Sequence, residues 1–174
     1  MQNIDETPKT ALITGASAGI GLAFAREFAE QGFDVVLVAR REDKLNEIAA
    51  EIKAQYGAMA YVIVGDLADP STPQAIFNTV KDKGITIDAL VNNAGYSIDE
   101  DFLSTDWETH ANFIQVLSTS LAHLCHLFAP GMKERNYGRI INISSIAAFS
   151  PQLSGSLYGA AKSFVLDFTQ AIDL

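Results

Sequence analysis

The chain has 174 residues, 48% of them apolar and 19% charged, with 12 basic against 21 acidic side chains and a net charge of −9. That apolar share excludes a disordered polypeptide, and one domain of this size buries about 70% of the surface its unfolded chain would expose. The acidic balance argues against nucleic acid as a partner, and no uninterrupted apolar run of about 18 residues predicts a membrane span. The opening, MQNIDETPKT, lacks the basic and apolar regions of a secretory leader, and the single cysteine, Cys125, fits a reducing cytoplasm and allows no intrachain disulfide.

Short β-branched runs alternate with longer amphipathic stretches along the whole chain. The first run, Ala11–Ile13, leads into Thr14-Gly15-Ala16-Ser17-Ala18-Gly19-Ile20-Gly21, which opens a helix over Gly19–Gln31 that stops at Gly32. The second run, Val35–Val38, precedes a helix over Glu42–Gln55 that stops near Gly57. The third, Tyr61–Val64, precedes a helix over Ser71–Lys83 with Pro73 in its first turn. The fourth, Ala89–Val91, precedes the longest helix, Asp106 to Met132, whose stripe is Phe113, Leu117, Leu121, Leu124 and Phe128 and which ends around Pro130-Gly131. The fifth, Ile140–Ile143, precedes a helix over Leu157–Leu174.

The runs are nearly continuous in apolar character, as strands buried on both faces are. Strand and helix alternating in this way predict a single domain over residues 1–174: a Rossmann-like doubly wound α/β fold with a five-stranded parallel sheet. Ligands of such folds bind outside the carboxyl ends of the strands, so side chains just after strands are the candidates.

Gly15, Ser17, Gly19, Ile20 and Gly21 form the first candidate group. Glycines let backbone N–H groups approach a pyrophosphate, and the helix start adds positive potential. The spacing is G-x-x-x-G-x-G, neither G-x-G-x-x-G nor a P-loop; a glycine-rich turn with no ligand is the plain alternative. At the end of the second strand stand Arg40 and Arg41 rather than a carboxylate. Two guanidiniums suit the 2′-phosphate of NADP(H), so NADP is expected over NAD; a solvated basic pair is the alternative. After the fifth strand, Ser145 is a candidate hydrogen-bond donor to a substrate oxygen. Tyr158 and Lys162, four apart on one helix face, pair a phenol with an ammonium that favours the phenolate, which suits acid–base work.

Taken together, Thr14-Gly15-x-x-x-Gly19-x-Gly21, Asn92-Asn93-Ala94-Gly95, Ser145 and Tyr158-x-x-x-Lys162 resemble the short-chain dehydrogenase/reductase family over nearly the whole chain. Gly65-Asp66-Leu67, after the third strand, looks like that family's adenine contact. The resemblance implies hydride exchange between NADP(H) and a carbonyl or secondary alcohol, with Tyr158 as acid/base. It implies Lys162 on the nicotinamide ribose and Ser145 on the carbonyl, with Asn93, Ala94 and Gly95 lining the cofactor site. It also implies a homo-dimer or homo-tetramer through the long and last helices.

Two departures qualify the resemblance. Counting back from Pro130 puts the family's relay asparagine at Leu117; Gln115 and Ser118 stand about 200° and 100° around the helix from it. The family's sixth and seventh strands and substrate lid lie beyond Leu174, so the chain reads as a piece of a longer protein, with the fifth strand at the sheet edge. A non-catalytic NADP(H)-binding or regulatory domain is therefore the competing function, and a fragment without cofactor binding is the third. The loop Ala147–Gly155 names no substrate. His123 and His126, without a third ligand on their face, predict no metal. His110 has no partner in the sequence, Cys125 reads as a buried inert thiol, and Trp107 reads as a packing anchor. Asp99-Glu100-Asp101 reads as a solvated loop that weakly disfavours anionic substrates.

Overall fold

The β-branched runs become strands that feed two cores at once. In the computed structural model, which describes residues 8–150 and 157–172, the strands are β1 (Thr10–Thr14), β2 (Asp34–Ala39), β3 (Ala60–Val64), β4 (Ala89–Asn92) and β5 (Arg139–Asn142). All pairings are parallel, and the order is β3-β2-β1-β4-β5. Because side chains alternate along a strand, Leu12, Val36, Val38 and Leu90 enter one core while Ala11, Ile13, Val35, Leu37 and Val91 enter the other. The doubly wound fold and its five strands stand as the sequence predicts.

Helices α1 (Gly19–Glu30) and α2 (Glu42–Tyr56) cover one face; α3 (Thr72–Asp82), α4 (Trp107–Ile114), α5 (Ser120–Glu134) and α6 (Tyr158–Ala171) cover the other. Gly57 closes α2 at φ +71°, a left-handed conformation cheap only for glycine. The chain winds outward from β1 through β2 to β3, then returns to β4 on the other side. The switch point, a crevice beyond the carboxyl ends of β1 and β4, is where such sheets bind ligands.

Three expectations are corrected. The longest helix is interrupted: α4 passes through a π-turn at Gln115–Thr119 before α5 begins. It also runs on through Pro130 to Glu134, its last turn held by buried Met132 and by Arg135, whose Nη2 donates to the Ile87 carbonyl at 2.8 Å. Trp107 is no packing anchor, since 70% of it is exposed. The stretch Trp107–Glu134 is long and apolar enough by composition to cross a membrane, with mean hydropathy 1.2. Its buried stripe, however, is the core against the sheet. Cys125 is buried as expected, and burial pushes its thiol up to about 11. Residues 1–7, 151–155 of the Ala147–Gly155 loop, and 173–174 of the predicted last helix lie outside the described residues.

Candidate active site

The end of β1 is tied to the end of β4 by a hydroxyl. Thr14 Oγ1 accepts from the backbone N–H groups of Asn93 and Ala94, each at 3.0 Å, and Asn93 Nδ2 donates to the Thr14 carbonyl at 3.0 Å. This lashing holds the glycine-rich turn against the Asn92–Gly95 segment. A Cβ on Gly21 would fall on the Gly15 carbonyl oxygen and within 2.5 Å of Asn93 Nδ2. One on Gly19 would meet nothing within 4 Å, so this part of the backbone is bare to the crevice. Helix α1 starts there with no side-chain cap and no acidic residue in its first turn. Its orphan N–H groups and positive end are open to an anion, which fits the phosphates of a dinucleotide.

The crevice is a trough of about 1050 Å³, at the large end of ligand pockets, which span roughly 300–1,000 Å³. One end carries Arg40, Arg41, Asp66 and Leu67. Arg41 Nη2 donates to Ser17 Oγ at 3.1 Å, and Arg40 faces Asp66 at 3.9 Å, with both side chains largely exposed. Asp66 Oδ1 accepts from the Ala68 N–H at 3.0 Å. The middle is floored by Gly15, Ile20, Asn93, Ala94 and Gly95, with Tyr96 at the wall. Tyr96 packs edge-on against Phe113 at 5.3 Å, and burial pushes its phenol up.

The other end brings together Ser144 and Ser145, just after β5, with Tyr158 and Lys162 of α6. Ser144 Oγ donates to the Lys162 carbonyl at 2.8 Å, stitching the strand end to the helix. Ser145 Oγ accepts from the Ala147 N–H at 3.2 Å, which caps a short 3-10 helix at Ile146–Ala148 and leaves its own O–H to donate. Lys162 Nζ donates to the Ile143 carbonyl at 2.7 Å and lies 5.6 Å from the centre of the Tyr158 ring. The lysine is 5% exposed, and burial lowers its pKa. Behind this end, Asn92 Nδ2 donates to Asn142 Oδ1 at 2.8 Å, and Asn142 Nδ2 to Thr169 Oγ1 at 3.0 Å.

Every residue nominated from the sequence, from Gly15 to Lys162, therefore lies in this trough or, as Gly21 does, directly beneath it. Leu117 does not reach it: the side chain is 1% exposed and packs behind Gly95. Asn112 and Val116, one turn apart, line the trough instead. Counting back from Pro130 assumes a continuous α-helix; the extra residue of the π-turn moves that position by one, to Val116, with Asn112 one turn before it. The available signal was Ser118-Thr119-Ser120, three hydroxyls in mid-helix that compete for backbone bonds. His110 is also better placed than its sequence suggested. It is buried, with Nε2 3.0 Å from the Phe102 carbonyl and its ring stacked on Phe102.

Comparison with known proteins agrees with this geometry. The short chain dehydrogenase family matches residues 9–174. The very-long-chain 3-oxoacyl-CoA reductase of Anas platyrhynchos is 38% identical over 168 residues, covering 93% of this chain and 53% of that protein. The NADP-dependent 3-hydroxy acid dehydrogenase YdfG of Escherichia coli is 35% identical over 162 residues, 91% of this chain and 62% of that one. The chain thus spans between half and two thirds of the length of these relatives. A short-chain dehydrogenase from Sphingobium yanoikuyae, solved in complex with NADPH, superposes with a TM-score of 0.89 at 35% identity, covering 95% of this chain and 64% of its own. L-sorbose reductase from Gluconobacter frateurii, complexed with NADPH and L-sorbose, gives 0.89 at 34% identity, covering 95% and 63%. With its fold, its motifs and its relatives in agreement, the chain belongs to the short chain dehydrogenase family.

Proposed function

We propose that this chain carries the NADP(H)-binding and proton-transfer site of an oxidoreductase acting on a carbonyl or secondary alcohol. One observation carries the reading. A single trough joins two guanidiniums and a bare helix start at one end to Ser145, Tyr158 and a buried lysine at the other. The relatives' names span an acyl thioester, hydroxy acids and a sugar. The carbonyl–alcohol couple is what those names share.

Bound NADPH supplies the hydride. Arg40, Arg41 and Ser17 are suited to its 2′-phosphate, and the start of α1 to its pyrophosphate. Asp66, with Oδ1 already held by a backbone N–H, has Oδ2 for the adenine once Arg40, 3.9 Å from that atom, turns to the phosphate. Lys162 has three N–H donors and spends one on Ile143, which leaves two for the ribose. Ser145 donates to the carbonyl oxygen and Tyr158 passes its proton to that oxygen as the alcohol forms. Asn112 offers its amide to the same trough. Assembly through α5 and α6 belongs to the same proposal; between them runs an apolar groove of about 400 Å³.

Calorimetric titration with NADPH and, separately, NADH tests the cofactor half, with NADPH expected to bind more tightly. Tyr158→Phe tests the chemistry: it removes the hydroxyl and should abolish turnover of a carbonyl panel while NADPH still binds. Retained turnover would refute the acid/base role. Binding without turnover in the unaltered chain would favour a nucleotide-binding domain.

A further inference from the structure

The π-turn at Gln115–Thr119 does more than interrupt a helix. Five residues along an α-helix leave two side chains about 140° apart, out of each other's reach. Here the turn closes through the Ser120 N–H on the Gln115 carbonyl, five residues back, and sets the two side chains on one face. Gln115 Nε2 donates to Ser120 Oγ at 2.9 Å, and Ser120 Oγ donates onward to the Leu67 carbonyl at 2.8 Å. Ser120 is completely buried, and its partner is 53 residues away in the segment after β3.

That segment is the adenine end of the trough. Gly65 donates to the Ala39 carbonyl at 3.1 Å, Ala68 to Asp66 Oδ1, and Asp69 to the Asp66 carbonyl at 3.0 Å. The first ties the loop to the end of β2, and the other two shape it from within. Of the hydrogen bonds that shape it, the one from Ser120 anchors it to the long helix behind. Without it, a buried carbonyl loses its donor, and the loop must turn to satisfy it.

We infer that Ser120, held by Gln115 across the π-turn, is a positioning residue that fixes the Asp66–Leu67 loop for the adenosine half of the cofactor. The inference rests on the cofactor reading above. One helical segment would then serve the trough twice, lining it with Asn112 and Val116 and holding the loop at its adenine end through Ser120.

The test is binding of NADPH, of adenosine 2′,5′-bisphosphate and of reduced nicotinamide mononucleotide to the unaltered chain and to Ser120→Ala. The variant should bind NADPH and the bisphosphate about three- to tenfold more weakly, the scale of one lost hydrogen bond. Its affinity for the mononucleotide should stay within about twofold, because that half does not touch the loop. Unchanged NADPH affinity would overturn the inference; so would an equal loss on both halves, which is the signature of general loosening. Should Ser120→Ala fail to fold, Ser120→Cys keeps the volume with a weaker donor and Gln115→Leu removes the clamp. Each must show the same one-sided loss in smaller degree, or the inference falls. Absence of NADPH binding by the unaltered chain would instead remove the cofactor reading, and this inference with it.

Discussion

The two ends of the trough are built on opposite principles. At the Tyr158 end, Ser144, Ser145 and Lys162 are each tied to a backbone group, and the lysine is 5% exposed. At the arginine end, Arg40 and Asp66 have side chains 73% and 49% exposed, and their charged atoms stand 3.9 Å apart. A fixed end suits chemistry, where a misplacement of 1 Å is costly. A loose, charged end suits capture, where long-range attraction matters more than exact position. The glycine turn joins the two, and it tolerates the least change.

The largest effect is therefore expected at Gly21. A methyl there meets the Gly15 carbonyl and Asn93 Nδ2, and that amide is one of the groups that lash β1 to β4. The amide cannot retreat without giving up the Thr14 carbonyl. Gly21→Ala should abolish NADPH binding in calorimetry and lower Tm, on the scale of overpacking, roughly 1–3 kcal/mol. Gly19→Ala is the control: its φ of +55° strains an alanine, yet the space is open. It should fold with a smaller loss of roughly 1–2 kcal/mol. Equal losses for the two would mean that the close approach at Gly21 costs no more than the backbone strain at Gly19.

The next effect separates function from stability at the fixed end. Burial lowers the pKa of Lys162, so the folded protein gives up that proton at lower pH than the unfolded chain does. Between the two pKa values the unfolded state holds more protons, so this group adds stability as pH rises through the window below about 10.4. Cys125 works the other way: its thiol is raised to about 11, and the unfolded chain loses that proton first. Lys162→Met leaves the cysteine in place, so subtracting the two Tm–pH curves isolates the lysine. The difference, unaltered chain minus variant, should climb with pH toward the alkaline side. Turnover in the variant should fall about a hundredfold or more, the scale of lost acid–base support. A flat difference curve would mean that Lys162 carries no buried charge.

Much of this was legible in the sequence, and the reason is physical. Strands covered on both faces must be apolar throughout, so Val35–Val38 and Ala89–Val91 declare themselves. Glycines that admit no Cβ, and a Tyr–Lys pair one turn apart, are fixed by chemistry and spacing at short range. What stayed hidden was long-range or off-register. Nothing in the sequence around Thr14 announces that its hydroxyl will accept from Asn93 and Ala94, some 80 residues on. Nor does the 3.6-residue repeat reveal a π-turn, so Leu117 was given the place that Asn112 and Val116 take. Trp107 was misjudged because an aromatic at a helix start is usually buried, and here its surroundings leave it to solvent.

The smallest effect tests the loose end, and it turns on the two arginines differing. Arg41 is already set on the glycine turn through Ser17, whereas Arg40 must leave Asp66 to meet a phosphate. Arg40→Ala should weaken NADPH about tenfold, or about 1.4 kcal/mol, and leave NADH unaffected, because NADH brings no second phosphate to this end. Losing Arg40 also frees Asp66 from its cation, so the carboxylate then repels the incoming phosphate unless salt screens it. Raising ionic strength from about 0.1 M to 1 M shrinks the screening length from about 10 Å to 3 Å. The gap between variant and unaltered chain should accordingly narrow with salt, as an exposed charge demands. A gap that salt does not touch would mean that Arg40 acts by packing on the adenine, through its planar face rather than its charge.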